Sequence, residues 1–319
     1  MRFRPFLNSD PPAIARVWSA QPPQRGQAER VSARMLNALV YSKPYFDRHG
    51  LIVAEDNVGR VIGFVHAGFG PNEQRTDIGT DMGVVCALMV SPSVDYDPVA
   101  SGLLHEAEQY LRSRGAKLIY AGGISPLNPF YLGLYGGSEL PGILASDART
   151  LEFFLQRQYE VIDRCVVFHR SLGSFRSPID RKQLQIKRRY RVEADSQYVA
   201  QGWWEACTSP PTDTTRYELM EKGKRTPCGS VLAWSIEPLS HQWGQCAVGV
   251  YQVTIEHTLH RQGLATFLNV QALTQMQLSG VRLVEAQTMV HNTAAIGLYE
   301  KLGFERVDEG CVLRRKSFA

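Results

Sequence analysis

The chain has 319 residues, of which 44% are hydrophobic and 21% charged, and a formal net charge of +4. That length exceeds one ordinary domain and fits two, each large enough to bury a core, so the composition is that of a soluble globular protein. The positive balance is too small to argue for nucleic-acid binding, and it leaves anionic ligands open.

The six cysteines (Cys86, Cys165, Cys207, Cys228, Cys246 and Cys311) lie far apart, without a C-x-x-C pair or a histidine at zinc spacing. They read as reduced thiols of a cytoplasmic protein, and no metal is expected. The opening MRFRPFLNSDPP has no apolar core and no cleavage pattern. No stretch approaches the roughly 18 uninterrupted apolar residues of a membrane span, so neither secretion nor a membrane partner is expected.

In chain order, Arg2 to Phe6 predicts a strand and Pro12 to Ser19 a helix. Leu51 to Glu55 and Arg60 to Phe69 predict a hairpin across Asp56, Asn57 and Gly59. Met82 to Val90 is nearly all apolar, which suits a doubly covered strand. Val99 to Arg114 repeats apolar residues at helical spacing and stops at Gly115. Lys117 to Ala121 reads as a strand, Leu151 to Gln158 as a helix and Glu160 to His169 as a strand. Between them lies a Gly-, Pro- and aromatic-rich stretch, 125–147, too long for an ordinary connection and so an insertion or functional loop.

Residues 171–186, with Gly173, Ser174, Ser177 and Pro178, read as a linker. The basic cluster Arg181, Lys182, Lys187, Arg188, Arg189 and Arg191 straddles it as a solvated connector, with no aromatic interleaving for nucleic acid beyond Tyr190. The second half repeats the order. Tyr190 to Ala194 predicts a strand, Tyr198 to Cys207 and Thr214 to Lys222 helices, and Val231 to Ile236 and Ala247 to Glu256 strands. A helix over Arg261 to Leu278, a strand over Arg282 to Thr288, a helix over Thr293 to Lys301 and a strand over Glu305 to Arg314 complete it. Two passes through one order suggest an internal duplication. The expected division is an N-terminal domain over 1–172, a linker over 173–188 and a C-terminal catalytic domain over 189–319.

The most informative segment is VTIEHTLHRQGLATFL, Val253 to Leu268. A strand runs out at Glu256, and Arg261-Gln-Gly-Leu-Ala265 opens a helix. The N–H groups of a first helical turn lack intrahelical partners and carry the positive end of the dipole. Gly263 and Ala265 let a phosphate approach them, and His260, Arg261 and Gln262 add donors, which suits a pyrophosphate. The turn is neither a Walker loop nor a dinucleotide fingerprint.

Downstream, LVEAQTMVHNTAAIGLYEKLGFERV places Asn292 before a short helix, with Ala295 and Tyr299 on one face and Gly303 as its cap. The pairing of H-R-Q-G-L-A with N-T-A-A-I-G-L-Y-E-K-L-G-F resembles the GNAT superfamily of N-acetyltransferases. Gly263 and Ala265 take its small positions, and Asn292, Ala295, Tyr299, Lys301, Gly303 and Phe304 fill its second motif. His260 departs from the usual Gln or Arg.

The resemblance implies an α/β (α+β) protein of two tandem GNAT-like domains, each a splayed mixed sheet flanked by helices. It further implies an acetyl-CoA-dependent acyltransferase acting directly on an amine. Acetyl-CoA would lie against the backbone of Val253, Thr254 and Ile255 in a gap between the fourth and fifth strands. Its pyrophosphate would sit on the turn from His260 through Arg261, Gln262, Gly263, Leu264 and Ala265 to Thr266, with Asn292 and Tyr299 also in contact. Tyr299 is the expected acid for the leaving thiolate. Tyr251, taken to share a strand face with Val253 and Ile255, and Glu285 are the two candidates for the general base.

The first half lacks a matching phosphate turn. Asp95 and Asp97 would repel a pyrophosphate, and Pro98 supplies no N–H. Phe153 or Phe154 stands where a catalytic tyrosine would, so this half reads as degenerate, similar in arrangement to tandem GNAT proteins such as mycothiol synthases. Its expected role is to cover the other half and shape the acceptor pocket through the insertion at 128–142. Trp203, Trp204 and Trp234 are the expected aromatic walls. A small amine metabolite is the expected acceptor; a protein or peptide amine, or a non-catalytic acyl-CoA-binding module, are the alternatives.

Overall fold

The computed structural model describes residues 1–128, 130–177, 181–208 and 212–316. The first half runs β1 (Arg2–Pro5), α1 (Pro11–Ser19), α2 (Ala33–Leu36, continued by a π-turn over Asn37–Tyr41), β2 (Leu51–Glu55), β3 (Val61–Pro71) and β4 (Ile78–Val90). It continues through α3 (Tyr96–Ser113), β5 (Leu118–Ala121), the short β6 (Ile143–Leu144), α4 (Ala148–Gln156) and β7 (Tyr159–Ser171). The second half runs α5 (Arg181–Arg189), β8 (Tyr190–Asp195), α6 (Trp203–Thr208), β9 (Thr214–Glu221), β10 (Pro227–Ser235) and α7 (Glu237–Trp243). After β11 (Ala247–Ile255) come a 3-10 turn over His257–Leu259, α8 (Leu264–Leu278), β12 (Leu283–Met289), α9 (Thr293–Lys301) and β13 (Glu305–Arg315).

Three sequence expectations need correction. The helix expected over Thr214 to Lys222 is strand β9, paired with β8 on one side and β10 on the other. Its Glu, Leu and Met favour a helix, but Tyr217 and Leu219 point inward while Arg216 and Glu218 do not, and tertiary pairing overrides propensity. The helix expected from Tyr198 shrinks to α6. The expected linker is helical from Arg181, because Ile186 packs into the second half's core; Pro178 lies outside the described residues. Helices α2 and α7 were not anticipated.

The strands form one 13-stranded sheet in the order β1-β2-β3-β4-β5-β13-β7-β12-β11-β10-β9-β8, with β6 pairing β13 off this path. The order is a pseudo-two-fold about the antiparallel β7–β13 pair. Each half contributes five strands in sequence, and then its last strand crosses over. Strand β13 pairs with β5 of the first half (Leu313↔Ala121), and β7 pairs with β12 of the second from Leu283↔Ser171 to Met289↔Cys165. The halves are thus joined by reciprocal strand exchange, which leaves neither β5 nor β12 as an open edge.

Helices cover the sheet. In α3, Val99, Leu103, Leu104, Ala107 and Leu111 form a buried stripe against the first half's strands. Helix α8 buries Leu264, Phe267, Leu268, Val270, Leu273 and Met276 under the second half. A further core is shared: Trp18, Phe64, Phe130, Tyr131 and Leu134 of the first half pack with Trp234, Ile236 and Leu239 of the second. Phe130, Tyr131 and Leu134 come from the predicted insertion, so apolar burial fixes that segment between the halves. No helix among the described residues is long and apolar enough to cross a membrane.

Candidate active site

Strands β11 and β12 run parallel and are paired only from Ala247↔Leu283 to Val250↔Ala286. Beyond Val250 they diverge, so the β11 edge from Tyr251 to Ile255 has no strand partner on that side among the described residues. The divergence starts at a bulge: opposite β10, the register shifts between Ser230↔Thr254 and Leu232↔Tyr251, and Gln252 adopts φ 51°. An extra residue in one strand reverses which face the following side chains take. Val253 and Ile255 accordingly pack with the α8 core, whereas Tyr251 packs into the core shared between the halves. The expectation that Tyr251 shares a face with Val253 and Ile255 is therefore corrected by one bulged residue, invisible to strict alternation.

At the far end of the slot the chain makes the 3-10 turn and enters α8. Gly263 is the N-cap, left-handed at φ 88°, and no side chain caps the helix. The first-turn N–H groups of Leu264, Ala265 and Thr266 therefore point out without a side-chain acceptor. Arg261 is also left-handed, at φ 59°, and exposed. His260 lies 2.9 Å from the Ile255 carbonyl through Nε2, and Gln262 Nε2 donates to Thr258 O at 3.4 Å, so both hold the turn's own backbone. One cation near this turn was not foreseen. A Cβ built on Gly263 would lie 2.9 Å from Lys182 Cε and 3.4 Å from its Nζ. Helix α5 brings Lys182 there, from the cluster read as a solvated connector. An uncapped helix start beside a lysine is a cradle for a phosphate group.

Asn292 caps α9 by accepting from Ala295 N at 3.2 Å. Tyr299, seven positions later, is 4% exposed and packs against Phe168 and Phe304. Burial, and secondarily the Glu139 carboxylate, push its phenol well above the usual tyrosine range.

Glu285 is fully buried and engaged. It accepts from Ser138 N at 2.7 Å and Gln287 Nε2 at 3.0 Å on Oε1, and its Oε2 is 2.9 Å from His169 Nε2. Arg25 Nη1 lies 2.9 Å from the same imidazole nitrogen, which in a neutral ring can accept from Arg25 or donate to Glu285 but not both. The Glu285 anchor clamps the insertion to the second half. Trp234 Nε1 donates to Ser138 O at 3.1 Å, and a Cβ on Gly249 would come within 2.6 Å of Ser138 Cβ. Gly249 and Glu285 form the second-last pair before the slot opens.

The clamp sets the next residue, Glu139, at the slot's origin. Glu139 lines a cavity of about 100 Å³ together with Ser138, Trp204, Trp234, Tyr251 and Glu205. Trp203 is exposed and is not part of it. Ser138 is 1% exposed, and its Oγ is buried without a hydrogen-bond partner among the described residues. Burial and the neighbouring Glu285 raise the Glu139 carboxyl to about 7. Burial also raises the Tyr251 phenol, against a hydrogen bond with Thr214. Nothing in residue spacing links position 139 to position 285; the only sequence signal was the insertion's length.

The first half repeats the slot. Strands β4 and β5 pair from Met82↔Leu118 to Val85↔Ala121 and then part beside a cavity of about 350 Å³. Its helix start differs. Asp97 in the first turn of α3 is bridged by Arg157 at 3.1 Å, and Arg157 also donates to Ser101 Oγ at 2.8 Å. The α4 counterpart of Tyr299, seven positions after the N-cap Asp147, is Phe154. All six cysteines are free.

A mixed sheet that parts between two parallel strands above an uncapped helix start, built twice in one chain, is an acyltransferase architecture. The sequence profile of the Acetyltransferase (GNAT) family matches residues 14–136 and again 182–304, and the chain belongs to that family. Solved structures share the fold. The tandem GNAT protein of the clavulanic acid biosynthesis pathway aligns over 100% of this chain and 99% of its own, at 14% identity and TM-score 0.65. A GCN5-related N-acetyltransferase from Sphaerobacter thermophilus aligns over 99% and 96%, at 16% identity and TM-score 0.61. The glucosamine N-acetyltransferase region of a fungal multi-domain GH3 β-N-acetylglucosaminidase covers 98% of this chain at 14% identity and TM-score 0.71, and the chain spans 38% of that protein. No curated protein sequence matches the chain.

Proposed function

We propose that this chain is an acetyl-CoA-dependent N-acetyltransferase whose acceptor is a small amine. One observation carries the reading: the slot beyond Val250 joins an uncapped helix start at one end to a small cavity roofed by the insertion at the other, with Tyr299 buried nearby. In this reading the first-turn amides at Gly263 to Thr266, with Lys182, hold the diphosphate, and the free edge from Val253 to Ile255 takes the amides of the pantetheine arm. Acetyl-CoA supplies the activated acyl group. A backbone N–H beyond the Gln252 bulge supports charge on the carbonyl oxygen. The phenol of Tyr299, kept protonated by burial, gives its proton to the leaving sulfur. The cavity has room for the end of a small molecule, and residues of the insertion line it.

Glu285 was a candidate base from sequence; its full burial and its bonds to Ser138 N and Gln287 support an anchoring role instead. Asn292, expected to touch the cosubstrate, supports the reading by shaping the α9 start that presents Tyr299.

The test is CoA release from acetyl-CoA across a panel of small primary amines, with isothermal titration for acetyl-CoA binding. The expected result is amine-dependent release by the wild type, lost together with binding in Gly263→Glu. Tight acetyl-CoA binding that survives Gly263→Glu, or a wild type that releases CoA with no amine, would overturn it.

A further inference from the structure

We propose that Glu139, delivered by the insertion of the first half, is the general base of the second half's reaction. The inference rests on the acetyl-transfer reading and adds to it the group that accepts the amine's proton.

The geometry is specific. Ser138 is fixed to the second half at three points: its N–H on Glu285, its carbonyl on Trp234 and its Cβ over Gly249. The residue that follows it can hardly be elsewhere than at the origin of the slot, where it lines the cavity beside Tyr251 and Gln252. Ser138 lines the same cavity, and its Oγ is buried with no hydrogen-bond partner among the described residues.

The charged and titratable groups around Glu139 narrow the choice of base. They are Glu285 on β12, Tyr251 on β11, Tyr299 on α9, Cys165 on β7 and Glu205 on α6, with the Arg25–His169 pair behind Glu285. Glu285 is already held by a backbone N–H and an amide. Glu205 accepts from Tyr198 OH and from Gln201 N at 2.7 Å. Tyr251 and Tyr299 are raised by burial and stay protonated near neutrality. Glu139 is left as the carboxylate that can take a proton, and it titrates near 7, where a base works best at neutral pH.

The protons balance as follows. Glu139 takes one proton from the acceptor ammonium. The freed lone pair forms the C–N bond to the acetyl carbon, and the C–S bond breaks. Tyr299 passes a proton to the sulfur and is restored by the second nitrogen proton as the amide forms. Glu139 returns its proton to solvent through the cavity mouth.

The experiment uses the full-length protein. In Glu139→Gln, kcat/KM for an alkylamine falls by about 100-fold or more, the range of general-base catalysis, and its ascending pH limb near 7 disappears. Acetyl-CoA binding by calorimetry is unchanged. With hydroxylamine, already unprotonated at neutral pH, the loss shrinks below about 10-fold. Glu139→Asp restores part of the alkylamine rate and the pH limb. A protonated-carboxyl infrared band that titrates near 7 in the wild type is absent from Glu139→Gln. The inference is overturned if Glu139→Gln keeps the wild-type pH profile, or if both acceptors lose equally, as a merely structural residue would make them. A wild type that transfers to no amine ends the acetyl-transfer reading itself, and the base with it; a wild type that transfers with Glu139 dispensable ends only the base.

Discussion

The two halves hold the same slot and differ in what stands at its two ends. In both, a parallel pair opens after a valine, Val85↔Ala121 in one and Val250↔Ala286 in the other. In both, a capped helix presents an aromatic ring seven positions after its cap, and a second ring packs on it: Phe154 with Tyr159 at 5.0 Å, Tyr299 with Phe304 at 5.2 Å. The phosphate ends diverge. The second half has a longer turn, left-handed Arg261 and Gly263, and Lys182 alongside; the first has Asp95, Asp97 and Pro98, closed by Arg157. The chemical ends diverge too, since Tyr299 carries a phenol where its counterpart Phe154 carries none. A slot is thus a property of the sheet, which duplication preserves, whereas binding and chemistry reside in a few terminal residues that can be lost without disturbing the core.

That contrast can be broken most severely at Gly263. Its φ of 88° strains any side chain, and a carboxylate there would pair with Lys182 and repel a phosphate, so Gly263→Glu should weaken acetyl-CoA binding by at least about 100-fold, roughly 2.7 kcal/mol, by calorimetry. The reciprocal swap of rings comes next. Tyr299→Phe makes the second half resemble the first; kcat should drop by about 100-fold while acetyl-CoA affinity holds. Phe154→Tyr should give no gain in transfer, because Asp97 and Arg157 still close the phosphate end of that slot. Lys182→Ala should weaken acetyl-CoA several-fold and flatten the salt dependence of its Kd, since it removes one screened charge.

A separate effect is a pH slope in stability. Glu139 has its folded-state carboxyl raised from 4.5 to about 7, so between those values the folded chain binds more protons than the unfolded one. Stability should therefore fall as pH rises through that window, and the fall should be shallower in Glu139→Gln melts, Asp147, also raised by burial, keeping part of it. A wild-type slope unchanged in the variant would show that Glu139 is solvated, and the contrast between the slots would then rest on Tyr299 and the turn alone.

Much of the fold could be read from residue order. Helix α9 was placed at its observed ends, Thr293 and Lys301, because cap, small residue and stop are local signals. The opening between the fourth and fifth strands followed from the family resemblance carried by Gly263, Ala265 and the Asn292 to Phe304 motif. Misreadings fell where long-range pairing overrides local preference: β9, taken as a helix; Tyr251, turned to the other face by one bulged residue; and α5, taken as a linker until its Ile186 found a core.

What the sequence determined alone was therefore local: the glycine a left-handed turn requires, the caps, the apolar stripe of α3, the buried ring of Tyr299. What only tertiary structure decided was which distant segments meet. The exchange of β7 and β13, the clamp of Ser138 on Glu285, and the approach of Lys182 to Gly263 join positions about 80 to 190 apart in the chain. No periodicity encodes such pairs, because they are selected by burial and hydrogen-bond satisfaction summed over the whole sheet.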